Sequence, residues 1–84
     1  MHEIILDGLM MQEAPQEYVA EVFGFPEYYG KNLDALHDML TEIGEDTEVY
    51  LLHWDSLGAY GKRMLRVFED AAQENEKLKV SCFE

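Results

Sequence analysis

Residues 48–54 constrain the fold more than any other stretch of the chain. Val49, Leu51 and His53 alternate there with Tyr50, Leu52 and Trp54, so an extended segment would be apolar on both faces. A strand that meets a core on one side alternates apolar with polar residues. A strand covered on both sides does not, and such strands belong to parallel sheets joined by helical crossovers. The rest of the chain can supply both. Residues 2–6 form a short, mostly apolar run closed by the turn pair Asp7-Gly8 and read as a first strand. Residues 15–23 read as a helix. Pro15 is tolerated in its first turn, Tyr18, Val19, Val22 and Phe23 share one side, and Gly24 is placed to end it. Pro26 holds Phe25 extended, and Gly30 makes a second break before a helix expected over residues 32–43. Residues 60–74 place Tyr60, Met64, Val67, Phe68 and Ala71 on one stripe. Leu78, Val80 and Cys82 then alternate with Lys79, Ser81 and Phe83, a final strand with one face more exposed. Strand, helix pair, strand, helix, strand predicts an α/β fold: a three-stranded parallel sheet with packed α-helices in one domain over residues 1–84.

Charge limits what such a domain can bind. Eighteen Asp and Glu face six Lys and Arg, a formal net charge of −12. That exceeds the roughly 2 to 8 charges that keep a small domain soluble. An acidic surface repels phosphates and anionic lipid, so nucleic acid and membranes are not expected partners. It attracts a cationic protein and speeds the encounter. With one cysteine, Cys82, no intrachain disulfide forms, which suits a reducing cytoplasm. The start of the chain carries no basic region or long apolar run, so neither a signal peptide nor a transmembrane span is expected.

The helix over residues 32–43 divides cleanly. Leu33, Leu36, Met39, Leu40 and Ile43 fall on one arc, with His37, Thr41, Asp34, Asp38 and Glu42 on the opposite one. Asp34 and Asp38 lie one turn apart and repel. The plain reading of such a row is a solvated face. Two features favour an interface instead. Tyr28 and Tyr29 sit just before Gly30, beside the acidic arc, and aromatic rings next to charge that can be desolvated are what interface hot spots use. The first thirty residues also contain no Lys or Arg to act as internal counter-ions.

The segment Pro26-Glu27-Tyr28-Tyr29-Gly30-Lys31-Asn32-Leu33-Asp34-Ala35-Leu36-His37-Asp38-Met39-Leu40-Thr41 resembles the signature of the barstar family, intracellular inhibitors of barnase-type secreted ribonucleases. The likeness extends more weakly along the whole chain. It implies a barstar-like fold and a cytoplasmic 1:1 inhibitor of a basic, barnase-like ribonuclease, with no catalysis and no cofactor. In that reading Asp38 takes the place of the substrate phosphate among the nuclease's arginines and catalytic histidine. Asp34 is a second acidic contact, Thr41 a hydrogen-bonding one, and Tyr28 stacks on the nuclease's histidine. Gly30 and Asn32 are loop contacts, Asp70 is an acidic contact from the later helix, and Glu74 is a peripheral one. His37 lies in the same face but replaces a family tryptophan, and Ile43 falls near another. The segment 55–60 is shorter than in the family and reads as lacking a small helix. Chemically the assignment is sound, since a carboxylate accepts paired hydrogen bonds from a guanidinium as a phosphate does.

In the later helix Lys62, Arg63 and Arg66 come early and Glu69, Asp70 and Glu74 late, against the helix dipole at both ends. Asp34 with His37 lacks a second cluster, so no metal site is expected. His53 reads as a hydrogen-bonded core histidine and Cys82 as a small buried hydrophobe. Part of Leu9-Met10-Met11 is expected under the first helix. Asp55-Ser56-Leu57 resembles the attachment motif of acyl carrier proteins, with phosphopantetheine on Ser56, but such carriers are helical bundles. A small acidic adaptor domain for another basic protein is a further alternative. A two-carboxylate hydrolase using Asp34 and Asp38 would need an enclosed cleft to tune the pair.

Overall fold

The computed structural model describes residues 2–83. Strand β1 (His2–Asp7) leads to helix α1 (Pro15–Phe23) and helix α2 (Leu33–Thr41). Strand β2 (Thr47–Leu52) is followed by a 3-10 turn (Trp54–Leu57), helix α3 (Gly58–Glu74) and strand β3 (Leu78–Phe83). The strands form one parallel sheet in the order β1-β2-β3. It is the α/β, parallel-sheet architecture that the alternation of elements predicts, and it agrees with the barstar-like fold that the resemblance implies.

Register sorts the sheet into two unlike faces. Ile4, Val49 and Val80 lie in one row and Leu6, Leu51 and Cys82 in another. Leu6, Val49, Leu51 and Leu78 are buried on this face against Val19, Leu36, Leu40, Met64, Phe68 and Ala71 from the helices. Full burial of side chains of this size is worth about 1.5–3 kcal/mol each. The other face carries Glu3, Ile5, Glu48, Tyr50, Leu52, Lys79, Ser81 and Phe83, all exposed or half-buried. Ile5 and Phe83 are 56% and 53% exposed. The expectation that β2 is covered on both sides therefore fails. Tyr50 and Leu52 are apolar without a helix over them, and Tyr50 stacks on Phe83 with ring centroids 6.5 Å apart.

The end of β2 corrects three further expectations. The strand stops at Leu52, because His53 takes a left-handed conformation (φ 53°) and redirects the chain. Trp54 thereby turns into the helix-side core, where its indole N–H donates to Gly61 O at 2.8 Å and its ring meets Phe68 edge-on. The segment after it does hold a short helix, the 3-10 turn, and α3 starts at Gly58. A Cβ on Gly61 would lie 2.6 Å from Leu57 Cβ, so only glycine lets α3 close on that turn. His53 is exposed rather than in the core, though its Nδ1 does meet Asp7 Oδ1 at 3.1 Å. Cys82 is exposed as well, on a strand that lies at the sheet edge. Within the Leu9-Met10-Met11 run, Met11 is buried, while Leu9 and Met10 are exposed.

Gly24 ends α1 in the left-handed conformation (φ 74°) that its lack of a side chain permits. Val22, expected on the inner side of α1, is 37% exposed. Among the described residues no helix is long and apolar enough to cross a membrane.

Candidate partner-binding face

The face is built from a loop and two helices. Asn32 starts α2: its side chain accepts a hydrogen bond from Ala35 N at 2.7 Å and donates to Gly30 O at 3.3 Å. One side chain thus caps the helix and pins the loop before it. Lys31, between them, sits at φ 53°, a left-handed conformation that costs a non-glycine residue free energy. Helix α2 buries Leu36 and Leu40 and turns Asp34 and Asp38 outward. It ends at Thr41, two residues short of the expected 43. At that end Asn75, past α3, donates to Leu40 O at 3.0 Å and Ile43 O at 2.9 Å. Leu40 O also accepts the Ile43 N–H at 3.4 Å, and no basic residue stands in the last turn to serve these carbonyls.

Tyr28, Gly30 and Asp38 line one shallow groove of about 210 Å³ with Tyr29, Ala35, Met39 and Glu42. Tyr28 is 84% exposed and Tyr29 is 5% exposed, so neighbouring rings point in opposite directions. The Thr41 hydroxyl donates to Asp38 O of its own helix at 3.0 Å. His37, placed by the helix period on the solvent arc, is half-buried instead. Helix α3 packs along α2 and brings Glu74 to it, with Nε2 of His37 2.5 Å from Oε2 of Glu74. Asp70 lies one turn before Glu74 and is exposed. The structure thus gathers Tyr28, Gly30 and Asp38 in one place and His37 with Glu74 in another. Asp34 and Asp70 flank the second pair on their own helices.

The carboxylates of Asp34, Asp38 and Asp70 make no hydrogen bond or ion pair within the described residues. The ion pairs found there all use histidine: His2 with Glu45, His37 with Glu74, and His53 with Asp7. Among the described residues no Lys or Arg makes an ion pair with the acidic face, and Arg63 lies over the ring of Tyr60, 5.5 Å from its centroid. An acidic surface of this kind, on a capped helix, can receive a cationic group without first breaking ion pairs of its own.

Sequence reasoning put Glu42 in the acidic row, one turn past Asp38, without counting it a contact, although it lines the groove, and two further residues were missed. Asn75 gave no signal, because what it caps is another helix. Gln16, 8% exposed, accepts the Tyr29 hydroxyl on Oε1 and donates through Nε2 to the Tyr60 hydroxyl at 2.7 Å. Its place on the inner side of α1, three residues before Val19, was the available clue. Burial, and after it the nearby Tyr60 phenol, push the Tyr29 hydroxyl up to about 12.

No group of three or more His, Cys, Asp or Glu able to hold a metal occurs among the described residues. Ser56 lies in the 3-10 turn with its hydroxyl donated to His53 O at 2.7 Å. The parallel sheet removes the helical bundle that a carrier reading of Ser56 requires.

Residues 1–83 match the family described as Barstar (barnase inhibitor). The chain belongs to the barstar family. It is 33% identical over 81 residues to a Bacillus subtilis (strain 168) protein named "Putative ribonuclease inhibitor YrdF", covering 88% of this chain and 89% of that one. Within the barstar family this chain carries His37 and Glu74 in contact on the face described above.

Proposed function

We propose that this barstar-family protein inhibits a basic, barnase-like ribonuclease in the cytoplasm, as a 1:1 complex, by occupying its active-site cleft with α2 and the loop before it. Support comes from the family, from the relative named as a ribonuclease inhibitor, and above all from the carboxylates of Asp34 and Asp38, without a partner among the described residues, on a capped helix beside the exposed ring of Tyr28. Asp38 would stand in for an RNA phosphate among the enzyme's cations, and Asp34 and Asp70 would meet cations at the rim. Gly30, Asn32 and Thr41 would supply loop and helix contacts, and His37 with Glu74 the shoulder toward α3. Because the helix and its cap exist before binding, little ordering is required when the complex forms. The remaining surface acids would steer the encounter.

The test is a titration of a barnase-type ribonuclease with the purified chain while RNA cleavage is followed. Loss of activity that saturates at equimolar inhibitor supports the reading. Full activity in the presence of a large excess overturns it.

A further inference from the structure

We infer that Gln16 is a positioning residue for the proposed inhibitory loop: it holds Tyr29 by its hydroxyl, and Tyr29 in turn fixes the direction in which Tyr28 and Gly30 are presented. The inference rests on the functional reading above, and the chain of contacts that carries it is continuous. The Tyr29 hydroxyl donates to Gln16 Oε1, and Gln16 Nε2 donates to the Tyr60 hydroxyl at 2.7 Å. The Tyr60 ring lies under the Arg63 guanidinium. One amide therefore ties the loop to α1 and α3 at once.

The geometry needs such a tie. Tyr29 N donates to Pro26 O at 3.0 Å, which closes a turn but leaves the turn free to swing as a unit. The Tyr29 ring packs on Phe25 at 4.9 Å between centroids. Ring packing is tolerant of sliding, whereas a hydrogen bond at the tip of the ring sets depth and rotation. Tyr28 is covalently next to that anchor, is 84% exposed, and makes no side-chain hydrogen bond or ring stacking of its own among the described residues. The amide is also oriented, since Oε1 must face a donor and Nε2 an acceptor. With both ends satisfied in a buried site, the network specifies one loop conformation. With one end broken, the orphaned atom favours opening of the loop to water.

The experiment uses the full chain with Tyr29→Phe, Gln16→Leu and the double variant. Amide hydrogen exchange is read by NMR, and inhibition is read against the same barnase-type ribonuclease. In Tyr29→Phe, exchange at Tyr29 N and at the capped Ala35 N should speed up by about tenfold, while Leu51 N in β2 is unchanged. Inhibition should weaken by a similar factor, with the change in the dissociation rate. In the double variant the buried acceptor is gone, so the unfolding midpoint should return toward the parent value, while loop exchange and inhibition do not. That divergence separates positioning from bulk stability. Unchanged loop exchange in Tyr29→Phe, or recovery of inhibition together with stability in the double variant, overturns the inference. A parent protein that fails to inhibit the ribonuclease would sink the functional reading, while the exchange arm would still decide the anchor.

Discussion

His37 on α2 and Glu74 on α3 meet at 2.5 Å, joining the two helices that carry the acidic residues of the candidate face. Their side chains are 34% and 59% exposed. A pair this open to water gains little Coulomb energy, so His37→Ala should lower folding stability by no more than about 1 kcal/mol. Urea unfolding of the parent and variant measures this. A loss above about 2 kcal/mol would show that the contact organises the helix pair rather than decorating it.

Asp38 separates binding from folding. Its carboxylate has no partner within the described residues, so Asp38→Ala should change stability by less than about 0.5 kcal/mol. The same change should weaken the ribonuclease complex by about 2–5 kcal/mol, a range set by desolvated charge pairs, including those of barnase–barstar itself, and not obtained from this geometry. Parallel unfolding and inhibition titrations give both numbers. A binding loss under about 0.5 kcal/mol would place Asp38 outside the contact.

Net charge makes a kinetic prediction. With −12 on the chain and screening over about 10 Å at 0.1 M salt, association with a basic enzyme should slow steeply as salt is raised. Stopped-flow rates that ignore ionic strength would exclude steering.

Lys31 is held at φ 53° between Gly30 and Asn32. Glycine relieves that conformation but adds freedom to the unfolded chain, so Lys31→Gly should raise stability by a net amount of about 0.5–1 kcal/mol. A fall in the urea midpoint would mean that the lysine side chain makes a stabilising contact outweighing the strain.

Alkaline pH should loosen the fold in a defined window. The phenols of Tyr29 and Tyr50 lie at about 12 against an ordinary 10.0, Tyr29 through burial and Tyr50 chiefly through its hydrogen bond to Glu48. The folded chain therefore keeps two protons that the unfolded chain has released. The stability they contribute is complete below pH 10 and is lost as pH rises toward about 12. Unfolding midpoints across that window should fall, and Tyr29→Phe or Tyr50→Phe should each flatten the fall. A midpoint that stays level between 10 and about 12 would contradict the shifts.

Element order and most of the helix faces were legible because each rests on local periodicity, as with Pro15–Phe23 and its Gly24 cap, while Val22 and His37 fell on the other side of that reading. Cover was not. Tyr50 and Leu52 look like core in sequence, yet they face the open side of the sheet, since apolar character does not tell which side a helix lands on. The left-handed turn at His53, which sends Trp54 inward, is likewise set by where α3 must begin. The candidate face was readable as a row of acids on α2, but its edges are tertiary. Glu74 reaches His37 only because α3 lies along α2, and Gln16 meets Tyr29 only through the tertiary packing of α1 against the loop.

The bare side of the sheet, with Ile5 and Phe83 half open to water, gives the surplus of carboxylates a second task. Exposed apolar surface invites copies to stick together, and a strong like charge on every copy holds them apart. Variants that trade these acids away for tighter or broader inhibition should therefore surrender colloidal solubility before they surrender the fold.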